Sequence, residues 1–254
     1  MSISIKSVKE IELMRESAKI LAQVLEEVVA IIQPGISTLD IDKKCVDIIK
    51  QYDCIPSFLN YNGYPASICV SVNSEVVHGI PNKNRILRNG DIVSLDCGVI
   101  YKGYHSDAAR TVAVGEISKE AARLIEVTEQ SFYEGIKYAK EGCHLHEISE
   151  AIQTYVEAHG YSVVRDLVGH GIGKDLHEEP QIPNFKQKRR GPKIEAGMTF
   201  AIEPMVNAGR SDVYWEDDDW TVVAADGSLS AHYENTILIT KGEPEILTLP
   251  GKVL

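Results

Sequence analysis

Two segments of this chain repeat at a single offset of 107 residues. Gly35-x4-Asp40-Ile41 overlays Gly142-x4-Glu147-Ile148, each opening a helical pattern. Gly90-Asp91-Ile92-Val93-Ser94-Leu95-Asp96 overlays Gly197-Met198-Thr199-Phe200-Ala201-Ile202-Glu203. Each of these is a glycine turn followed by an apolar strand ending in a carboxylate. Glycine turns before strands are common, but two overlays at one spacing favour a duplicated α/β unit. If the two halves pack about a pseudo-twofold axis, Asp96 and Glu203 become equivalent and can converge.

The remaining pattern fits that plan. Ser7-x-x-Glu10 is a capping box. Ile11, Met14, Ala18, Leu21, Leu25, Val28 and Ile32 follow at helical spacing, and Pro34-Gly35 stops the helix. Ser37 or Thr38 caps a second helix to about Tyr52. Strands are expected at Ser67–Val72, Val76–Gly79, Ile92–Gly98 and Ala108–Val114. Helices are expected at about Ser118–Tyr138 and Leu145–His159, then strands at Ser162–Leu167, Thr199–Glu203, Trp220–Ala224 and His232–Ile239. The whole chain, 1–254, reads as one domain with repeat halves of roughly 7–115 and 116–245.

Composition narrows the function classes. With 254 residues, 44% of them apolar and 25% charged, the chain can bury a core without disulfides or a structural metal. Lys+Arg 26 against Asp+Glu 37 gives a net charge of −11, which disfavours nucleic acid and anionic membranes as partners. The five cysteines (Cys45, Cys54, Cys69, Cys97, Cys143) form no C-x-x-C pair, so a disulfide framework or zinc ribbon is not favoured. Lys6, Lys9, Glu10 and Glu12 follow Met1–Ile5 directly, where a signal peptide would need an apolar stretch. No apolar run is long enough to span a membrane. A cytoplasmic protein is expected.

Several His, Asp and Glu residues sit beside glycine or inside apolar strands: His78, Asp96, Asp107, His170, His177, Glu203 and Glu234. A lone carboxylate among Val93, Leu95 and Cys97, or among Phe200, Ile202 and Met205, is costly unless a cation or proton accompanies it. Two Asp, two Glu and up to three His exceed the needs of one ion and suit two divalent cations bridged by shared carboxylates. Four carboxylates would roughly balance two such ions. Carboxylate and imidazole donors without thiolate suit Mn, Fe or Co, with Zn also possible. Cys97 adjoins Asp96 but points to the opposite strand face. Each residue alone has an ordinary structural reading; their joint occurrence in a repeat is the stronger signal.

Other motifs carry less. Gly169-x-Gly171-x-Gly173 lacks the spacing of a nucleotide loop, His177-Glu178 does not continue to H-E-x-x-H, and no G-x-S-x-G occurs. Glu216–Asp219 reads as an exposed turn, and His144-x-His146-Glu147 as a helix cap.

Taken together, the motifs resemble the type I methionine aminopeptidases of the duplicated pita-bread metallopeptidase family. The resemblance runs from about Ser7 to Leu249. It is carried by Tyr61-Asn62-Gly63-Tyr64-Pro65, His78-Gly79-Ile80-Pro81, Gly90–Asp96, Gly103-Tyr104-His105-Ser106-Asp107, Gly169–Gly173, His177-Glu178-Glu179-Pro180, Gly197–Met205 and Glu234-Asn235-Thr236. It implies an α+β pita-bread (creatinase/aminopeptidase) fold, with two pseudo-twofold-related α/β halves and antiparallel sheet around a central dinuclear metal site. It implies Asp96, Asp107, His170, Glu203 and Glu234 as metal ligands, and His78 and His177 as substrate contacts. Tyr61, Tyr64, Cys69 and Trp220 are the implied methionine pocket, with Phe58 as an outer candidate. Only 25 residues separate His177 from Glu203, too few for the large insertion of the type II form, and no zinc-finger extension precedes Ser7. Asn235 stands where the family often has His, Asn62 where some members have His, and Leu176 where others have Phe.

The expected activity is metal-dependent removal of N-terminal methionine from nascent polypeptides, met at the ribosome, with a small second residue preferred. Glu203 is the expected general base and then acid. A free α-amine contacting a metal would make the enzyme an exopeptidase. A monomer is expected. The alternatives are an X-Pro aminopeptidase or prolidase, which adds an N-terminal domain, and an inert binding protein on a decayed pita-bread scaffold.

Overall fold

The computed structural model describes residues 3–249. Helix α1 (Val8–Val29) starts at the capping box: the Ser7 N–H donates to the Glu10 carboxylate at 2.9 Å, and the Glu10 N–H donates to the Ser7 hydroxyl at 3.4 Å. It ends before Ile32 because Ile31 and Ile32 donate back three residues and tighten the last turn. Helix α2 (Thr38–Gln51) starts at Ser37. After strand β1 (Ile55–Pro56) come β2 (Ile68–Val72), β3 (Glu75–Val77), β4 (Ile92–Tyr101) and β5 (Tyr104–Ala113). The second half opens with α3 (Lys119–Ile136) and α4 (Leu145–Ala158). Short strands follow: β6 (Ser162–Val163), β7 (Gly169–Gly171), β8 (Glu178–Ile182), β9 (Thr199–Ile202) and β10 (Met205–Asn207). The last are β11 (Val213–Trp215), β12 (Val222–Ala224), β13 (Ser230–His232), β14 (Asn235–Leu238) and β15 (Glu245–Ile246).

Strand pairings among the described residues are antiparallel. One larger sheet runs β1-β4-β2 with β5 also on β4; the other runs β15-β14-β9-β7-β8. Each is backed by a helix pair. Val93, Leu95 and Cys97 pack on Leu21, Leu25 and Ile48 of α1 and α2. Phe200 and Ile202 pack on Phe132, Ile148 and Ile152 of α3 and α4. Strand alternation then turns Asp96 and Glu203 away from the helices. Cys97 lies on the helix side, its sulfur 3.6 Å from that of Cys45.

The 107-residue offset recurs in the backbone. Helix α2 (Thr38–Gln51) maps onto α4 (Leu145–Ala158). The Gly35 N–H donates to Leu87 O at 2.8 Å, and its counterpart Gly142 donates to Ile194 O at 2.9 Å. Isolated bridges pair Ser37 with Ile86 and His144 with Lys193. Gly90 and Gly197 take φ of +98° and +93°, a left-handed turn that glycine enters without penalty.

Several expectations need correcting. Asp96 does not end its strand: β4 continues to Tyr101 and turns into β5, which begins at Tyr104 rather than Ala108. The expected Ser162–Leu167 strand shrinks to β6. The expected His232–Ile239 strand is two strands in different sheets, β13 on β10 and β14 on β9, with Tyr233-Glu234 as the crossing point. Glu203-Pro204 is a second crossing, between β9 and β10, where proline lacks the N–H needed to extend the ladder. Glycine in β7 and an edge-tolerated proline in β8 hid both strands from the pattern. Among the described residues, no helix is long and apolar enough to cross a membrane.

The glycines around His170 serve strand packing. A Cβ on Gly171 would lie 2.2 Å from Glu179 O, and one on Gly169 would lie 2.5 Å from Ala201 O. Gly171→Ala should therefore cost about 1–3 kcal/mol or more in urea unfolding. Gly242→Ala, whose Cβ would meet only the Thr240 hydroxyl at 3.9 Å, should shift stability by less than about 0.5 kcal/mol. Equal midpoints for both variants would contradict the close-packing account.

Candidate metal centre and substrate cleft

The crossing points deliver the site. Asp96 and Asp107 lie on one face of the β4–β5 hairpin: Asp96 is registered with Ala109, and Asp107 with Gly98. The Glu234 backbone fastens the second half to that hairpin, donating to Ala109 O at 3.0 Å and accepting from the Ala109 N–H at 3.3 Å. The Thr236 hydroxyl locks the same joint, accepting from the Asp107 N–H at 2.9 Å and donating to Asp107 O at 2.8 Å. His170 is registered with Ala201 of β9. Its Nδ1 pairs with Gly171 O at 2.8 Å, leaving Nε2 3.6 Å from Glu203 Oε1.

These groups form one buried cluster. Ligand atoms of Asp107, His170 and Glu234 lie within 4.8 Å of one another. Asp96 Oδ1, Asp107 Oδ1 and Glu234 Oε1 are buried without hydrogen-bond partners. Burial pushes the Asp96 carboxyl up to about 7. Burial and mutual repulsion push Asp107, Glu203 and Glu234 well above the usual carboxylate range. Burial and the nearby His177 hold His170 down at about 3, as a neutral imidazole with a free lone pair. Orphaned carboxylate oxygens that cannot all ionise alone, beside a neutral imidazole, fit divalent cations as the missing partners. The cluster can hold metal ions.

Above it lies a cavity of about 260 Å³. Its lining includes all four carboxylates, His170, His78 and His177, and the aromatic and thiol side chains expected there. Tyr64 donates to Gly79 O at 3.0 Å, and its ring meets Trp220 edge-on at 5.1 Å. Phe58, expected at the outer edge, is buried, as is Cys69. Asn62 and Leu176 line the cavity as well. The acidic run Glu216–Asp219 is the turn between β11 and β12, where Asp218 accepts from the Trp220 N–H at 2.9 Å and so fixes the start of that cavity wall.

The two cleft histidines are held differently. His78 has φ of +60°, a strained backbone for a non-glycine residue and a mark of a constrained site. Burial and the proximity of His177 hold it down at about 4. His177 Nδ1 lies 2.6 Å from the Tyr61 hydroxyl, and its ring meets that of His170 edge-on, with centroids 4.2 Å apart. A larger cavity of about 530 Å³, between α1, β5 and α3, contains none of the four converging carboxylates.

Asn235, where histidine was the family habit, accepts from Arg110 Nη2 at 2.7 Å and from the Thr248 hydroxyl at 2.8 Å. Arg110 also donates to the Glu234 carbonyl and stacks on Tyr233 at 4.4 Å. The amide thus anchors the guanidinium that braces Glu234.

Sequence reasoning missed Arg110, Thr236 and His232. His232 is buried, and its ligand atom lies within 4.8 Å of those of Asp96 and Glu234. Its signal was available: a histidine between Ala231 and Tyr233, two residues before Glu234, poses the same burial problem as Asp96.

Comparison with known proteins agrees with this geometry. The sequence profile of metallopeptidase family M24 matches residues 12–241. A methionine aminopeptidase of Clostridium acetobutylicum is 55% identical over 97% of this chain and 99% of its own length. The crystal structure of a methionine aminopeptidase from Thermotoga maritima superposes with a TM-score of 0.95, at 45% identity, over 97% of this chain and 99% of that one. An Xaa-Pro dipeptidase from Bacillus anthracis superposes at a TM-score of 0.79 and 26% identity, and this chain covers 63% of it. The fold is that of the pita-bread hydrolases, and the chain belongs to metallopeptidase family M24.

Proposed function

We propose that this chain hydrolyses the first peptide bond of polypeptides that begin with methionine, with a small second residue preferred. The observation that carries the reading is the convergence of Asp96, Asp107, His170, Glu203 and Glu234 on one cavity whose lining also holds aromatic and thiol side chains. Relatives of nearly the same length carry the methionine aminopeptidase name. The organisation proposed is one catalytic domain, 1–254, with repeat halves of roughly 7–115 and 116–245.

In this reading the five residues hold two divalent ions, of Mn, Fe, Co or Zn type. When bound, such ions lower the pKa of a water and polarise a carbonyl. The protein's own groups supply the rest. Glu203, with its raised proton affinity, accepts a proton from the attacking water and returns one to the leaving amine. His177, steered by Tyr61, donates to the carbonyl oxygen as it gains charge. His78, on its constrained backbone, orients the scissile amide. Tyr61, Tyr64, Cys69, Trp220 and Phe58 receive the thioether, a soft side chain suited to an aromatic wall. A free α-amine is one more donor for the centre, and an acetylated one is not; this restricts the enzyme to chain ends. The substrate is the nascent chain at the ribosome, the enzyme works as a monomer, and its place is the cytoplasm, which suits five free cysteines.

The test is a tripeptide panel after loading with each metal. Met-Ala-Ser should be cleaved, Met-Lys-Ser at least about tenfold more slowly, and acetyl-Met-Ala-Ser not at all, with chelator abolishing turnover. Equal rates on the three peptides would dispose of the reading, and cleavage of Gly-Pro in preference to Met-Pro would replace it with the prolidase alternative. Glu203→Gln should lower kcat by about 10²–10⁴ with a smaller change in KM; undiminished kcat would remove Glu203 from its proposed role.

A further inference from the structure

Resting on the metal-centre reading above, we propose that His232 is an additional ligand, through Nε2, to the ion held between Asp96 and Glu234. Its residue is 1% exposed, and neither ring nitrogen has a hydrogen-bond partner. A buried imidazole left with both nitrogens idle is disfavoured, and an unmet lone pair inside a carboxylate cluster points to a cation. Nε2 stands 3.8 Å from Glu234 Oε2. That is too long for a hydrogen bond. It matches two donors on one ion, which at about 2.1 Å each are separated by up to about 4.2 Å.

The backbone around His232 is already fully engaged. Its N–H donates to the Thr111 hydroxyl at 2.8 Å, and its carbonyl accepts from that hydroxyl at 2.9 Å. The strand register with Met205 fixes its position further. The side chain is therefore held in place by its main chain while contributing no hydrogen bond of its own.

The ligand atoms fall into two triplets that share Glu234: Asp107–His170–Glu234 and Asp96–His232–Glu234. Each has two carboxylates and one imidazole. The Asp96 position is thus nitrogen-bearing rather than all-oxygen, which shifts its preference from Mn towards Fe, Co and Zn.

The metal-stripped full chain and its His232→Gln variant should be titrated with Co²⁺ by calorimetry and visible absorption. Wild type should show two binding events. His232→Gln should weaken one by about tenfold or more, with the matching visible bands altered, while His170→Gln weakens the other. Comparable melting temperatures of wild type and His232→Gln in chelator would set aside misfolding. If His232→Gln does not fold, X-ray absorption of the wild-type di-cobalt protein decides: one imidazole per ion supports the proposal, and one per pair overturns it. A His232→Gln isotherm and spectrum indistinguishable from wild type would also overturn it. Failure of wild type to bind Co²⁺ at all would instead sink the metal-centre reading.

Discussion

Four carboxyl groups packed into one water-poor cleft are the constraint on which the rest of this structure depends. Asp96, Asp107, Glu203 and Glu234 repel one another and are poorly solvated, so burial raises the proton affinity of each. No lysine or arginine side chain forms an ion pair with any of them among the described residues; Arg110 reaches only the carbonyl of Glu234. The cluster is stable when protons or multivalent cations compensate it. The surrounding scaffold, with its two helix-backed sheets, keeps these groups together despite that repulsion.

Duplication explains how such an arrangement can be built. The same glycine turn and strand occur in both halves, so Asp96 and Glu203 occupy equivalent positions on facing sheets. The halves then diverge in how each strand ends. In the first, β4 runs past Asp96 and turns back as β5, adding Asp107 to the same face. In the second, proline ends β9 immediately after Glu203, and the chain returns through the crossing at Glu234. An extended hairpin and a broken strand pair therefore meet across a joint held by Ala109, Glu234 and Thr236. The cavity lies above it, and Phe58, Tyr64, Cys69 and Leu176, members of a separate apolar cluster, contribute to its lining.

Much of this was legible in the residues. The four helices follow from caps and apolar spacing, because helix signals are local. The repeat predicted the equivalence of Asp96 and Glu203, and His170 stood out separately, by the glycines that flank it. What escaped was non-local. Strands β7 and β8 are glycine-, proline- and glutamate-rich, and exist because β9 and its neighbours offer partners. The crossing at Tyr233-Glu234 cannot be told from a continuous strand without knowing that two sheets meet there. His232 was marked in the residues only by its apolar neighbours and its spacing from Glu234; that its ring lacks a hydrogen-bond partner is visible only in the fold.

The central claim is that the carboxylates and His170 hold a pair of divalent ions in this cleft. Its most direct test is anomalous diffraction from crystals of the chain grown with Co²⁺, with data collected to bring out cobalt. The account predicts two strong peaks, both within bonding distance of Glu234, one beside Asp96 and one beside Asp107 and His170. A map with no peak in the cleft, or with peaks only at surface carboxylates such as Glu216–Asp219, would contradict it.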